Sequence, residues 1–254
     1  MAKKKKVTTT VTTVTTVTSE PTNEKTQIIC ILDRSGSMSS IMSDSIGGFN
    51  TFLKQQKELK DEATLTVALF DDKYELLYDG VNIKHVKNIT SADWYPRGTT
   101  ALYDAIGKTI NDVKATHAKL GVEAPAKVLV CIVTDGYENA SHEYGLDTIR
   151  KLIKKCENDD WNFIYLAANQ DAFAVGGSFG VSAGNTYNYS ATADGVFNMS
   201  STISGAATSY RAMSSTDDNF KKMSKKLVDL PDDKVEDNGS NIITTNNSNT
   251  VVNK

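Results

Sequence analysis

The sequence predicts one α/β domain: a doubly wound, mostly parallel sheet with one antiparallel edge strand and helices on both faces. Three observations predict it. Residues 27–32, 128–133 and 163–168 are near-continuous apolar runs, the mark of strands buried on both sides. The stretches that separate such runs carry apolar residues at helical spacing. Two further strand-like runs, 65–70 and 74–81, are separated only by Asp71, Asp72 and Lys73, too few residues for a crossover helix, so they form an antiparallel hairpin at the sheet edge.

Residues 7–18 contain only Val and Thr and follow Lys3 to Lys6. With no core of its own, the segment 1–23 reads as a low-complexity, disordered arm, or as an edge strand that forms when a partner offers one. The folded unit is expected over 24–230. After the strand at 27–32, Met42, Ile46, Phe49 and Leu53 make a helical stripe facing the sheet. Gly47 and Gly48 interrupt it at a cost of up to about 1 kcal/mol each relative to Ala, which close packing against the sheet would explain. Leu102, Ile106, Ile110, Val113 and Leu120 make a second stripe, and Leu146, Ile149, Leu152 and Ile153 a third. Residues 176–180 read as a Gly-rich loop linking a helix to a last strand at 186–190. A final helix carries Val196, Met199, Ile203, Ala207, Tyr210 and Met213. The tail, 231–254, is rich in Asp, Asn and Thr and reads as disordered.

Composition narrows the function. With 28 Lys+Arg against 31 Asp+Glu, a net charge of −3 over 254 residues gives no polyelectrolyte for nucleic acid or an anionic membrane. No apolar run approaches the roughly 18–20 residues of a membrane span, and Lys3 to Lys6 lead into Thr rather than an apolar secretory segment. Cys30 and Cys131 fall in buried-strand runs, where a free thiol behaves as a small hydrophobe. A cytoplasmic, reduced location is expected.

In an open parallel sheet, ligands bind beyond the carboxyl ends of the strands where the strand order reverses. The first strand ends in Asp33-Arg-Ser35-Gly-Ser37, the strand at 128–133 ends in Thr134-Asp135-Gly136, and Arg97-Gly-Thr-Thr100 opens the helix after it. The convergent set is Asp33, Ser35, Ser37, Thr100 and Asp135. Every member offers oxygen, which selects a hard cation, Mg²⁺ or Mn²⁺, over zinc or copper. Ser35 or Ser37 taken alone is as well explained as a helix cap; three loops at one rim are not. Asp104 reads as a solvated acid in the first turn of its helix, and Arg34, Met38, Tyr137, Glu138 and Asn139 as residues shaping the rim.

With its D-x-S-x-S turn, its Thr in a Gly-Thr loop and its T-D-G turn in that order, the chain resembles the von Willebrand factor A domain, also called the integrin I-like domain. The resemblance covers roughly residues 25–211. It implies a metal-ion-dependent adhesion site in which the two Ser and the Thr hold the metal through neutral oxygens, while one or both Asp act directly or through water. It also implies a partner Glu or Asp completing the shell, and a last helix able to shift when that carboxylate comes or goes. Stand-alone proteins of this kind occur in bacteria and their phages, so a virion location is the alternative to the cytoplasm.

Other signals carry less. Residues 176–180 match G-x-S-x-G, but all three histidines precede Ser178 where the hydrolase order needs one after it. Gly107-Lys-Thr109 lacks the earlier Gly of a phosphate loop, and His117 lies on an apolar stripe. The expected function is therefore a non-catalytic, metal-dependent protein-binding module, with a second copy of the chain as one possible partner. The competing reading is a structural or assembly component, for instance of a phage particle, that works through its terminal arms. A hydrolase would need Glu138 or Asp171 as its base.

Overall fold

The computed structural model of the chain describes residues 24–216. The expected arm over 1–23, the tail over 231–254 and a domain end at 230 lie outside the described residues. Six strands, β1 (Thr26–Asp33), β2 (Ala63–Phe70), β3 (Tyr74–Asn82), β4 (Lys127–Thr134), β5 (Trp161–Ala167) and β6 (Thr186–Asn188), form one sheet in the order β3-β2-β1-β4-β5-β6. Only β2 and β3 are antiparallel. Five helices flank it: α1 (Met42–Glu58), α2 (Leu102–Leu120), α3 (Leu146–Asn158), α4 (Ala172–Ser178) and α5 (Ala193–Ala212).

Alternation along the central strands builds two cores. Ile28, Cys30 and Leu32 of β1 pack with Leu129, Cys131 and Val133 of β4 against α1 and α5. Ile29 and Ile31, with Val128, Val130 and Ile132, face α2 and α3 on the other side. Each such side chain contributes about 1.5–3 kcal/mol on burial. The chain winds outward from β1 through β2 to β3, then crosses back to lay β4 on the other flank of β1. Leu32 pairs with Val133, so Asp33 and the Thr134-Asp135 turn emerge side by side where the winding reverses.

The structure departs from the sequence reading in several places. Residues 176–178, expected as the start of a Gly-rich loop, are the last turn of the helix α4. A Cβ on Gly176 would come within 3.0 Å of the Tyr165 ring and 3.1 Å of Thr186 Oγ1, so the glycine lets this short helix lie flat on the sheet. Gly180, at φ +106°, makes the turn that follows. The last strand ends at Asn188, although the Tyr189 N–H still reaches the Ala167 carbonyl at 3.0 Å. Leu120 is 46% exposed, because the final turn of α2 runs past the sheet before Gly121 ends it, and Met213 lies just beyond α5. Gly48 does not face the sheet: its Cβ would lie 2.1 Å from Ser200 Oγ, so it marks the crossing of α1 and α5. Nothing in the structure explains Gly47.

At the amino-terminal pole of the sheet, buried Arg211 donates from Nε to Asp61 Oδ2 (2.6 Å) and from Nη1 to the Gln56 carbonyl (2.7 Å). Lys127 Nζ donates to the carbonyls of Arg211 (2.7 Å) and Met213 (2.6 Å). The Glu24 carboxylate accepts from Ser215 N at 2.7 Å and Ser215 Oγ at 2.6 Å. Glu24 and Ser215 therefore lie together, at the end of the sheet opposite Asp33.

Candidate metal centre

Each strand end delivers one part of the site. Asp33 is fully buried at the end of β1, with Oδ1 accepting from Ser35 N (2.6 Å) and Oδ2 from Thr134 Oγ1 (2.5 Å). Burial pushes its pKa up to about 6 against these hydrogen bonds, with a further push from the charge on Asp135. Ser35 precedes a 3-10 turn over Gly36–Ser40, yet its hydroxyl makes no capping bond; it lies 3.0 Å from Ser37 Oγ. Ser37 Oγ donates to Asp135 Oδ1 at 2.5 Å. Both serine hydroxyls therefore turn toward the crevice, and the helix-cap explanation does not apply to Ser35.

Gly136 shows how tightly the loops converge. A Cβ there would sit 3.1 Å from Thr100 Oγ1, 3.2 Å from Ser37 Oγ and 3.7 Å from Ser35 Oγ. Three hydroxyls from two separate loops thus border one small space, and the third loop roofs it only because its residue lacks a side chain. Asp135 Oδ2, beside this space, is buried without a hydrogen-bond partner, and burial raises the pKa of that carboxyl despite the Ser37 bond. Two buried carboxylates with raised pKa, an orphaned oxygen and three neutral hydroxyls form an oxygen-only donor set that fits a hard divalent cation. Among the described residues no group of three or more His, Cys, Asp or Glu is placed to hold a metal, so a cation here depends on the hydroxyls.

Thr100 is positioned by a loop exchange. Its N–H donates to Asn139 Oδ1 at 2.9 Å, and its carbonyl accepts from the N–H groups of Asn139 (3.0 Å) and Ala140 (3.2 Å). Glu138 accepts from Tyr103 N, Ala140 N, Ser141 N and Ser141 Oγ, all within 2.9 Å. The loop after β4 thereby caps the start of α2 from a distance. Asp104 returns the favour: it is buried, not solvated, and accepts the N–H groups of His142, Glu143 and Tyr144 at 2.8–2.9 Å.

Of the expected rim residues, Tyr137 (60% exposed) and Asn139 lie outward, whereas Arg34 and Met38 are buried. Asp171, like Glu138, is engaged locally, capping α4 through Ala174 N. Ser178 Oγ donates to the Val175 carbonyl, Gly107 sits in α2 where a Cβ would strike the Tyr144 ring, and half-buried His117 pairs with Gln27 beside Trp161. Thr134 and Trp94, whose indole N–H holds the Asp33 carbonyl at 3.0 Å, belong to the site's support and were not read from sequence. For Thr134 the signal was its place beside Asp135; for Trp94 there was none.

The sequence matches no protein-family profile and no curated protein. Among solved structures it is similar to the D319A mutant of the PilB minor pilin from Streptococcus sanguinis, at 12% identity and a TM-score of 0.53, over 71% of this chain and 61% of the pilin. It is also similar to a von Willebrand factor type A protein from Catenulispora acidiphila (11% identity, TM-score 0.47, 80% of this chain and 43% of that one). A third is the manganese-loaded TRAP protein of Plasmodium vivax (18% identity, TM-score 0.45, 57% of each chain). The chain spans less than two thirds of the length of each, and at 12% identity the likeness to the pilin concerns the fold alone. The sheet order, single antiparallel edge and three converging loops agree with the von Willebrand factor A fold that the motifs imply.

Proposed function

We propose that this chain is a non-catalytic, metal-dependent protein-binding module. Asp33, Ser35, Ser37, Thr100 and Asp135 hold a divalent cation, Mg²⁺ or Mn²⁺, and a Glu or Asp of a protein partner, or of a second copy of this chain, completes the site. The observation that carries this reading is the convergence of three hydroxyls on the space under Gly136, beside an Asp135 oxygen with no partner. A divalent cation held there would attract a further anionic oxygen. The chain's own residues prepare for it. Ser35 N and Thr134 fix both oxygens of Asp33, and three of the five donors are neutral, which limits how far the protein itself neutralises the ion.

Glu138 and Asp171, the acids considered as bases, are occupied by backbone donors, which favours binding over hydrolysis. Among the described residues no helix is long and apolar enough to cross a membrane. The test is capture of partner protein on the full chain with Mg²⁺, with EDTA and with an Asp33→Ala bait. A protein retained only by wild type with metal is the expected result. Retention indifferent to all three conditions would overturn the metal-dependent reading and move the function to the terminal segments.

A further inference from the structure

We infer that Asp71, bonded to none of the five candidate ligands, is the positioning residue that sets the affinity of the rim for a divalent cation, acting through the loop that carries Thr100. The inference rests on the metal-binding reading above.

Asp71 follows β2 directly and is 1% exposed. It grips the Thr100 loop on both sides of the threonine: Oδ2 accepts from Arg97 Nε at 2.6 Å, and its carbonyl accepts from Ala101 N at 2.8 Å. Between these holds the backbone is pressed against the turn. At Gly98, with φ +65°, a Cβ would lie 2.1 Å from Asp72 Oδ1 and 3.0 Å from Asp71 Oδ2. The same loop is stitched to the D-x-S-x-S turn, since the Gly98 carbonyl accepts from Gly36 N at 3.1 Å and Arg97 N donates to the Arg34 carbonyl at 2.7 Å. Asp71 therefore anchors the point where two of the ligand-bearing loops meet. Asn139 and Ala140 hold Thr100 from the other side.

The charges around Asp71 rank the consequences. Arg34 is buried, with Nη1 on Glu75 at 2.8 Å, while Nη2 has no partner and Nε stands 3.8 Å from Asp71 Oδ1 without a hydrogen bond. Removing the charge of Arg97 leaves Asp71 able to turn toward that guanidinium and keep its carbonyl hold on Ala101. Removing the charge of Asp71 weakens its hold on Arg97 and leaves buried Arg34 with half-exposed Glu75 as its remaining ion-pair partner.

The test uses the full chain and Mn²⁺ alone, with affinity read by the loss of the free-ion paramagnetic signal and unfolding followed separately in EDTA. Outer-shell partners of a metal site typically govern affinity by about 10–100-fold, so Asp71→Asn should bind Mn²⁺ at least about tenfold more weakly than wild type. Arg97→Gln, whose Asp71 keeps a second guanidinium, should lose less, roughly threefold. A merely structural role would lower the unfolding midpoint in EDTA and leave the Mn²⁺ affinity of the folded variants unchanged; that result overturns the inference. If Asp71→Asn fails to fold, Arg97→Gln decides by the same criterion, its side chain being one-third exposed. A wild-type chain that takes no Mn²⁺ would overturn the metal reading itself, an outcome distinct from equal affinity in all three proteins.

Discussion

Gly136 is the residue on which the site's shape depends. A methyl group there would stand 3.1–3.7 Å from the hydroxyls of Thr100, Ser37 and Ser35, in the space the cation is proposed to use. Gly136→Ala should leave the fold intact and weaken Mn²⁺ binding about tenfold or more; unchanged affinity in a direct titration would put the ion elsewhere. Asp104 illustrates a different dependence. Burial pushes its carboxyl up, but three N–H donors from residues 142–144 outweigh this and hold its pKa below the ordinary value. Because the folded value lies below the unfolded one of about 3.9, its stabilisation is complete above that pH and is lost as pH falls through the folded pKa. Asp104→Asn should cost about 1.5–3 kcal/mol near neutrality, and its urea midpoint should fall less than wild type's between pH 5 and pH 2.5. The five candidate ligands were legible in the sequence because each lies within a short motif at a strand end or helix start. The role of Asp104 was not, because its partners sit 38–40 residues away and are chosen by how two loops approach.

At the scale of elements, periodicity found each strand and each long helix, but not every neighbour. Gly48 is the clearest case, since the sequence shows that something packs closely there without showing what. The structure answers with α5, and a sign follows. Gly→Ala inside a helix ordinarily gains up to about 1 kcal/mol, whereas Gly48→Ala places a Cβ 2.1 Å from Ser200 Oγ and 3.1 Å from its Cβ. The variant should lose about 1–3 kcal/mol. Pairing it with Ser200→Gly in a double-mutant cycle should show a favourable coupling of at least about 1 kcal/mol; additive urea midpoints would mean the helices already have room to separate. The extent of helix α4 escaped for another reason. Seven residues with glycine at 176 and 177 carry too little periodicity to distinguish a helix from a loop, and its position is fixed by Tyr165 and Thr186 beneath it.

For the whole molecule, the two cores fix the sheet while a polar cluster fixes the last helix. Arg211 ties the end of α5 to Asp61 and Gln56, and Lys127 takes the carbonyls of Arg211 and Met213. Arg211→Ala should cost about 3–5 kcal/mol, because it leaves Asp61 and a buried carbonyl unpaired; a urea midpoint within error of wild type would show the cluster to be dispensable. A displacement of the end of α5 of the kind the family resemblance implies would have to release these bonds. The pairing of Glu24 with Ser215 has a mechanical meaning as well. Glu24 stands at the foot of β1 and Asp33, one of the five proposed ligands, at its head. Between them runs one eight-residue strand, bonded along its length to β2 on one side and β4 on the other. Pulled lengthwise, those ladders are sheared together instead of unzipped one bond at a time, so a pull between Glu24 and Asp33 meets the resistance of the whole of β1 at once.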